Sequence, residues 1–276
     1  MRVDNSRVST RHCRTCHCDG HRGASRWRIR FGRHHRRLRR GVASSQWPVR
    51  RWLLVWAGAV TAVIVAIGVV LSDVGVDTDP ALRVAARHAA DVLATIPTTE
   101  SRPGADGTYD RAQFGAAWTD AVQVTGGGDR CDTRNDILTR DLSDITTVVT
   151  SKCPKAVLSG EFRSPYTGEF IVFSRERAAS AVQIDHIVPL AFAWTMGART
   201  WPAGRRYAFA NDPANLVAVD ARSNQDKRDA EPARWMPRLT AFRCRYAIQF
   251  ILVTAAYHLT LDAPSQATLR STLRSC

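Results

Sequence analysis

Lysine and histidine are scarce in this chain of 276 residues. Lysine occurs three times, at Lys152, Lys155 and Lys227, so nearly all of the positive charge is arginine, and we draw no function from that bias. Beyond residue 71 histidine also occurs three times, at His88, His186 and His258. Since imidazole is the side chain that titrates near neutral pH, few groups in this part of the chain can serve as a catalytic base there.

Acidic charge is almost missing from the N-terminus. Residues 1–51 carry 15 arginines and two aspartates, a net charge of +13, whereas residues 52–276 carry 24 basic and 23 acidic residues. The whole-chain charge of +14 therefore says nothing about nucleic-acid binding by the remainder. We predict that residues 1–51 are a disordered basic leader in the cytoplasm. The Cys/His cluster between His12 and His21 has no second pair of ligands, so we interpret it as a solvated tail.

Residues 52–71 contain no charged side chain. Twenty apolar residues are long enough to cross a bilayer, and the arginines before them predict a single transmembrane helix with the C-terminal part outside. The alternative is a cleaved signal peptide, which would leave a secreted protein. The long basic leader and the lack of an A-x-A cleavage site after Leu71 argue against that alternative.

Residues 72–108 are predicted to be a linker, and residues 109–276 a globular domain. The run Gly126-Gly127-Gly128 lacks the Lys-Ser/Thr ending of a phosphate-binding loop. Four cysteines lie in this predicted exported domain, which suggests two disulfides. Three pairings are possible; we favour those in which each pair brackets one local segment, namely Cys131–Cys153 and Cys244–Cys276.

The segment from Gln183 to Glu231 is the most informative. Residues Val182 to Val188 are predicted to be a strand that carries Asp185-His186 and stops at Pro189, and after a long loop Asn215 to Val219 are predicted to be a second strand. Asp220 and Ser223 are both candidate N-caps for a helix that carries Asn224. The segment has one histidine and no cysteine, which argues against structural zinc. Neighbouring residues on a strand face opposite sides, so we expect Asp185 and His186 to have different roles.

Phosphodiester hydrolysis needs an activated water and a cation that stabilises the developing charge. His186 is the candidate base, because it is the only histidine in the segment. Asp185 and Asn224 offer hard oxygen ligands, which suit Mg²⁺ or Mn²⁺. We expect Arg222, Lys227 and Arg228 to contact phosphates of the nucleic acid; the other interpretation for each is a solvated surface charge.

Three motifs carry a resemblance to a known family: Asp185-His186-Ile187-Val188-Pro189-Leu190, Asn211-Asp212-Pro213-Ala214-Asn215-Leu216 and Ser223-Asn224-Gln225-Asp226-Lys227. They resemble the HNH (ββα-metal) endonucleases, specifically their exported bacterial branch. The resemblance covers about residues 109–276, because it extends to Tyr109-Asp110-Arg111, Cys131 to Leu138, Pro165-Tyr166-Thr167-Gly168 and Trp235-Met236-Pro237. The resemblance implies that His186 is the general base, Asp185 and Asn224 bind the metal, and Asn215 orients the loop. That branch often has Lys-Gly where this chain has Lys227-Arg228.

The predicted fold class is α+β, with a ββα-metal core embedded in a mainly helical, disulfide-stabilised domain behind a single transmembrane helix. The predicted function is a membrane-anchored, exported, monomeric endonuclease that uses Mg²⁺ or Mn²⁺ and acts on DNA in preference to RNA. The alternative is an inactive envelope or nucleic-acid-binding domain with the same fold. The near-neutral charge of residues 52–276 motivates that alternative, since nucleases acting on duplex DNA usually gain affinity from a basic surface.

Overall fold

A computed structural model describes residues 53, 54, 56, 57, 59–61, 63, 79–104 and 107–276. The chain divides into two compact units, Met1–Ala59 and Val60–Cys276. In the first unit the described residues, all between 53 and 59, are helical and exposed. The predicted leader, residues 1–51, lies outside the described residues. All that follows concerns the second unit.

Helices and strands are interspersed along the second unit. The α-helices between residues 80 and 276 are α1 (Pro80–Thr95), α2 (Thr133–Asp141), α3 (Leu190–Thr195), α4 (Ala203–Asn211), α5 (Ala221–Lys227), α6 (Thr240–Ala256) and α7 (Ala263–Arg274). The strands are β1 (Thr98–Thr99), β2 (Ser143–Val148), β3 (Ala156–Arg163), β4 (Phe170–Ser174), β5 (Val182–His186), β6 (Leu216–Asp220) and β7 (Leu261–Asp262).

The strands form three small sheets. Strands β2, β3 and β4 make an antiparallel sheet, β5 pairs with β6 in antiparallel fashion, and the short β1 and β7 run parallel. In the β5–β6 pair Val182 lies opposite Asp220 and His186 lies opposite Leu216. The end of β5 is thereby fixed beside the start of β6.

Aspartate begins four of the helices. In each case the side-chain carboxylate accepts a hydrogen bond from a backbone N–H of the first turn, which satisfies a donor that the helix itself leaves unpaired. The four N-cap residues are Asp79 of α1, Asp132 of α2, Asp220 of α5 and Asp262 of α7.

Two large apolar clusters hold the unit together, and a third, small one surrounds the Cys131–Cys153 disulfide. The larger one joins α1, α6 and α7, with Leu93, Phe250 and Leu269 fully buried. Residues 80–95, which belong to the predicted linker, thus contribute a buried face to this cluster. The second large cluster lies between α2, the β3–β4 hairpin and the β5–β6 pair, and includes Ile137 and Leu216.

Two disulfides close local segments. Cys131 is bonded to Cys153 and Cys244 to Cys276, so the favoured pairing is confirmed. The first bond ties the start of α2 to the start of β3. The second ties α6 to the C-terminal residue, which follows α7.

The predicted fold class is wrong. The molecule is a mixed α/β structure rather than a mainly helical domain, because the three sheets provide much of its framework. Nowhere in the described part of the chain is there a helix long and apolar enough to cross a membrane. The transmembrane helix predicted at residues 52–71 is therefore corrected, and the membrane partner predicted from it is not supported; most of that segment lies outside the described residues.

Candidate active site

The β5–β6 pair and α5 bring the predicted site residues to one place. Asp185 and His186 are the last two residues of β5, and Asn215 immediately precedes β6. Asp220 ends β6 and caps α5 by accepting from the Ser223 N–H at 2.8 Å, so the helix begins without a loop. Asn224 lies in the middle of α5.

Asn215 fastens the loop that follows His186. Its side-chain Oδ1 accepts from the Val188 N–H at 2.8 Å, and its Nδ2 donates to the Val188 carbonyl at 3.2 Å. The Asn215 backbone carbonyl accepts from the Ile187 N–H at 2.8 Å. Because Asn215 is completely buried and both polar atoms of its side chain bind Val188, the side chain holds the loop and is shielded from a substrate.

His186 is held in one orientation. Its Nε2 lies 2.9 Å from the Ala210 carbonyl oxygen, and the ring stacks on Trp118 with centroids 5.7 Å apart. A carbonyl only accepts hydrogen bonds, so Nε2 carries the proton and Nδ1 keeps a lone pair. Burial, opposed by the Ala210 hydrogen bond and assisted by Arg111 and Lys227, lowers the pKa of His186 to about 3. The imidazole is therefore neutral at physiological pH.

One oxygen of the Asp185 carboxylate is engaged by two other side chains. Its Oδ2 accepts from the Tyr166 hydroxyl at 2.5 Å and from the Lys227 ammonium at 2.7 Å. Lys227 also donates to the His186 carbonyl at 2.6 Å and is completely buried. Burial lowers the pKa of Lys227, and the charge of Asp185 opposes that effect. Among the described residues, Asp185 Oδ1 has no hydrogen-bond partner.

Asn224 is oriented by a second amide. Its Nδ2 donates to the Gln183 Oε1 at 2.8 Å, which fixes the direction of the Asn224 carbonyl oxygen. Asp185, His186 and Asn224 all line one cavity of about 380 Å³, which we call the reaction cavity. Its wall also includes Tyr109, Arg111, Ile184, Pro189, Leu190, Ala191, Arg228 and Asp229.

The donor set suits a hard cation that keeps part of its water. No group of three or more His, Cys, Asp or Glu side chains positioned for a metal occurs within the described residues. Mg²⁺, however, is commonly bound by one or two carboxylates together with waters and substrate phosphates. Asp185 Oδ1 and the Asn224 amide oxygen fit that pattern. Lys227 offsets the charge of Asp185, so substrate phosphates would have to supply much of the attraction.

The three predicted phosphate-contacting residues lie in different surroundings. Lys227 was expected at a phosphate, but it has no exposed surface and is engaged by Asp185 and His186. Arg228 is exposed and lines the reaction cavity. Arg222 is exposed on α5, outside the wall that the described residues give this cavity.

Several side chains around the site are not among the residues predicted for it. Tyr166 and Trp118 contact Asp185 and His186 from 19 and 68 residues away in sequence, and no local periodicity reports such contacts. Tyr109 and Arg111 lie in the cavity wall. The one available signal was the likeness of Tyr109-Asp110-Arg111 and Pro165-Tyr166-Thr167-Gly168 to the HNH family, which gave these residues no role.

Comparisons with known proteins place the chain among nucleases. The family model described as "GmrSD restriction endonucleases, C-terminal domain" matches residues 132–269. A protein of Arthroderma benhamiae named "Uncharacterized secreted protein" is 35% identical over 217 residues, which are 78% of this chain and 97% of that protein. No solved structure matches the chain. The matched range contains Asp185, His186, Asn215 and Asn224.

Proposed function

Since this chain belongs to the family described as GmrSD restriction endonucleases, C-terminal domain, we propose that it is a metal-dependent endonuclease of the HNH type. The observation that carries the proposal is the state of His186. Its Nε2–H donates to the Ala210 carbonyl, so Nδ1 keeps its lone pair and is the nitrogen that can accept a proton. The residue lines the reaction cavity.

In the proposed reaction His186 Nδ1 accepts a proton from a water molecule as that water attacks the phosphorus. The bond between the phosphorus and the leaving oxygen breaks, and that oxygen takes a proton from solvent. A base with a pKa of about 3 would be weak, but the negative charge of a bound phosphodiester favours the imidazolium and raises that pKa. The Ala210 carbonyl stabilises the imidazolium further and keeps the ring in place.

Asp185 and Asn224 would hold a divalent ion, with Mg²⁺ or Mn²⁺ as the candidates. Such an ion supplies positive charge that polarises the phosphoryl oxygen and offsets charge on the leaving oxygen. Lys227 and Tyr166 position the Asp185 carboxylate through Oδ2, which leaves Oδ1 for the ion. Gln183 likewise positions the Asn224 amide by accepting from its Nδ2, which leaves the Asn224 Oδ1 for the ion.

Arg111 and Arg228 are the basic residues of the reaction-cavity wall, and we assign them to the phosphates of the nucleic acid. DNA remains the favoured substrate and a monomer the expected state. We also propose that the protein is exported. Two disulfides support this, because such bonds persist in oxidising compartments. The name of the Arthroderma relative, which describes that protein as secreted, also supports it.

The test is a cleavage assay of the full chain on plasmid DNA and on single-stranded RNA, with Mg²⁺, with Mn²⁺ and with EDTA. We expect cleavage that needs the metal, and a loss of about 100-fold or more in His186→Ala. His88→Ala is the matched control, because His88 is exposed on α1 and distant in sequence from the site. Equal rates for the two variants would refute the role of His186. Binding of nucleic acid without cleavage by the parent would favour an inactive binding domain.

A further inference from the structure

A second cavity adjoins the reaction cavity and is not used by the proposed chemistry. It has a volume of about 500 Å³, enough for a nucleoside. Tyr109, Ala191 and Asp229 line both cavities, so a group bound in one lies next to a group bound in the other. We call it the side cavity.

The side cavity contains a carboxylate that the fold leaves partly unused. Asp262 is 2% exposed, and its Oδ1 caps α7 by accepting from the Ser265 N–H at 2.8 Å. Its Oδ2 is buried, and among the described residues it has no hydrogen-bond partner. A buried carboxylate oxygen without a donor is unfavourable, and a ligand that brings a donor would relieve it.

A second buried carboxylate lines the same cavity. Glu231 is 4% exposed, and its Oε2 accepts from Arg102 Nη1 at 2.9 Å. Its Oε1 has a longer ion pair, 3.7 Å, to Arg234, whose side chain is largely exposed. The wall therefore offers hydrogen-bond acceptors on Asp262 and Glu231, with Pro103, Ala191, Ala233 and Pro264 as apolar surroundings.

We propose that the side cavity binds a nucleobase next to the scissile phosphate and selects one with an amino group. This inference rests on the proposed function. In a nucleotide the base and the phosphate are joined through one sugar, which matches two cavities that share a wall. Carboxylates accept from the exocyclic amino groups of cytosine, adenine and guanine, whereas the O4 carbonyl of thymine or uracil would be repelled.

A metal ion is a poorer occupant of the side cavity. Arg102 lies in its wall and already neutralises Glu231, and the described residues hold no group of three or more side chains suited to a metal. The ring of Tyr109, which borders both cavities, is a surface on which the face of a base can stack. A planar neutral ligand with amino donors therefore fits better than a cation.

Asp262→Asn is the decisive variant. Asparagine also caps helices, so Oδ1 can still accept from Ser265, while an amide NH₂ replaces the unpaired Oδ2. The variant thus changes an acceptor in the side cavity into a donor. Asp79→Asn is the matched control, since Asp79 caps α1 in the same way and lies outside the residues that line the side cavity.

The experiment measures kcat/KM of the full chain on single-stranded oligonucleotides that differ only in a cytosine or a thymine beside one cleavable bond. We expect the parent and Asp79→Asn to prefer cytosine by about 10-fold, within the range of one good base contact. In Asp262→Asn the preference disappears or reverses. An unchanged ratio in Asp262→Asn, or no preference in the parent, overturns the proposal while leaving the nuclease function intact.

A binding measurement separates this inference from the proposed function. Calorimetric titration of the same proteins with dCMP and dTMP requires no turnover. Tighter binding of dCMP by the parent, lost in Asp262→Asn, supports the side cavity even if no substrate is cleaved. Equal binding of the two nucleotides overturns it. If Asp262→Asn does not fold, Glu231→Gln provides the same test, because it too introduces an amide donor into the cavity wall.

Discussion

The ammonium of Lys227 lies 2.7 Å from Oδ2 of Asp185, and both side chains are buried. Lys227, the last residue of the motif Ser223-Asn224-Gln225-Asp226-Lys227, was expected at a phosphate but thus belongs to the interior of the site. The Asp185 carboxylate therefore has two roles. It needs the Lys227 ammonium to be stable in a buried position, and we assign the same carboxylate to the metal ion.

Lys227→Met tests that pair by removing the charge and keeping most of the volume. We expect a loss of about 3–5 kcal/mol in the free energy of unfolding, because the Asp185 carboxylate is left buried without its cation. Urea denaturation followed by circular dichroism measures the loss. The matched control is Lys155→Met, because Lys155 is exposed and its half-buried partner Asp129 lies 3.3 Å away; that variant should lose at most about 1 kcal/mol. Equal shifts in both variants would contradict the prediction.

His186 predicts an acid-dependent loss of stability. Its pKa is about 3 in the folded protein and about 6.5 in an unfolded chain, so between these values the unfolded state binds more protons. Stability therefore rises with pH across this window and is lost as the pH falls, by up to about 1.4 kcal/mol per pH unit.

The measurement is the free energy of unfolding of the parent and of His186→Asn at several pH values between 4 and 7. The difference between the two curves should flatten above pH 6.5, since the group no longer titrates there in either state. His88→Asn, at an exposed position of α1, should follow the parent. Parallel curves for the parent and His186→Asn would show that this buried imidazole does not cause the loss of stability at acidic pH.

Local sequence signals predicted the elements that carry the site. The strand-like run from Val182 to Val188, stopped by Pro189, indicated β5, and the run from Asn215 to Val219 indicated β6. Strand β5 ends at His186, two residues before the predicted end. Both Asp220 and Ser223 were plausible N-caps for α5, and Asp220 is the one used, because it follows β6 directly and accepts from Ser223.

Contacts across the fold were not predictable in the same way. Lys227 and Arg228 are neighbours of the same charge, yet one is buried and the other exposed. The helix that ends at Lys227 has seven residues, too few for a hydrophobic pattern to assign its faces. The partner of Lys227 comes from β5, 42 residues earlier, so only the assembled fold shows its role.

Asn215→Asp is predicted to damage the loop after His186. The exchange replaces the Nδ2 donor with an oxygen that faces the Val188 carbonyl, in a fully buried position. We expect a loss of about 1–3 kcal/mol or more in stability, and a fall in kcat that persists when the protein is fully folded. Gln249→Glu makes the same chemical change where Gln249 donates to the Ala214 carbonyl near the surface. Loss of stability with unchanged kcat would show that Asn215 is purely structural.

The two disulfides are predicted to differ in their effect on activity. Replacing either pair with serine should cost about 3 kcal/mol of stability, because each bond restricts the unfolded chain. The Cys131–Cys153 bond lies at the start of α2, and Asp141 of that helix accepts from the Ala218 N–H of β6 at 2.8 Å. Loss of this bond should therefore lower the cleavage rate more than loss of Cys244–Cys276. Equal rates in the two double variants, measured where both are folded, would contradict this.

Arg228→Ala should weaken nucleic-acid binding without disturbing the fold. Arg228 has a φ of 54°, a conformation that glycine adopts without strain, and its alanine replacement has the same backbone strain as the arginine. In the background of His186→Ala, where cleavage is suppressed, fluorescence anisotropy at several salt concentrations gives the number of phosphate contacts. Loss of one contact should reduce the slope of log K against log salt by about 0.9 for duplex DNA. Arg222→Ala is the matched control, since Arg222 is exposed on the same helix but outside the reaction-cavity wall. The same slope in both variants would mean that the substrate does not pass Arg228 on its way to His186.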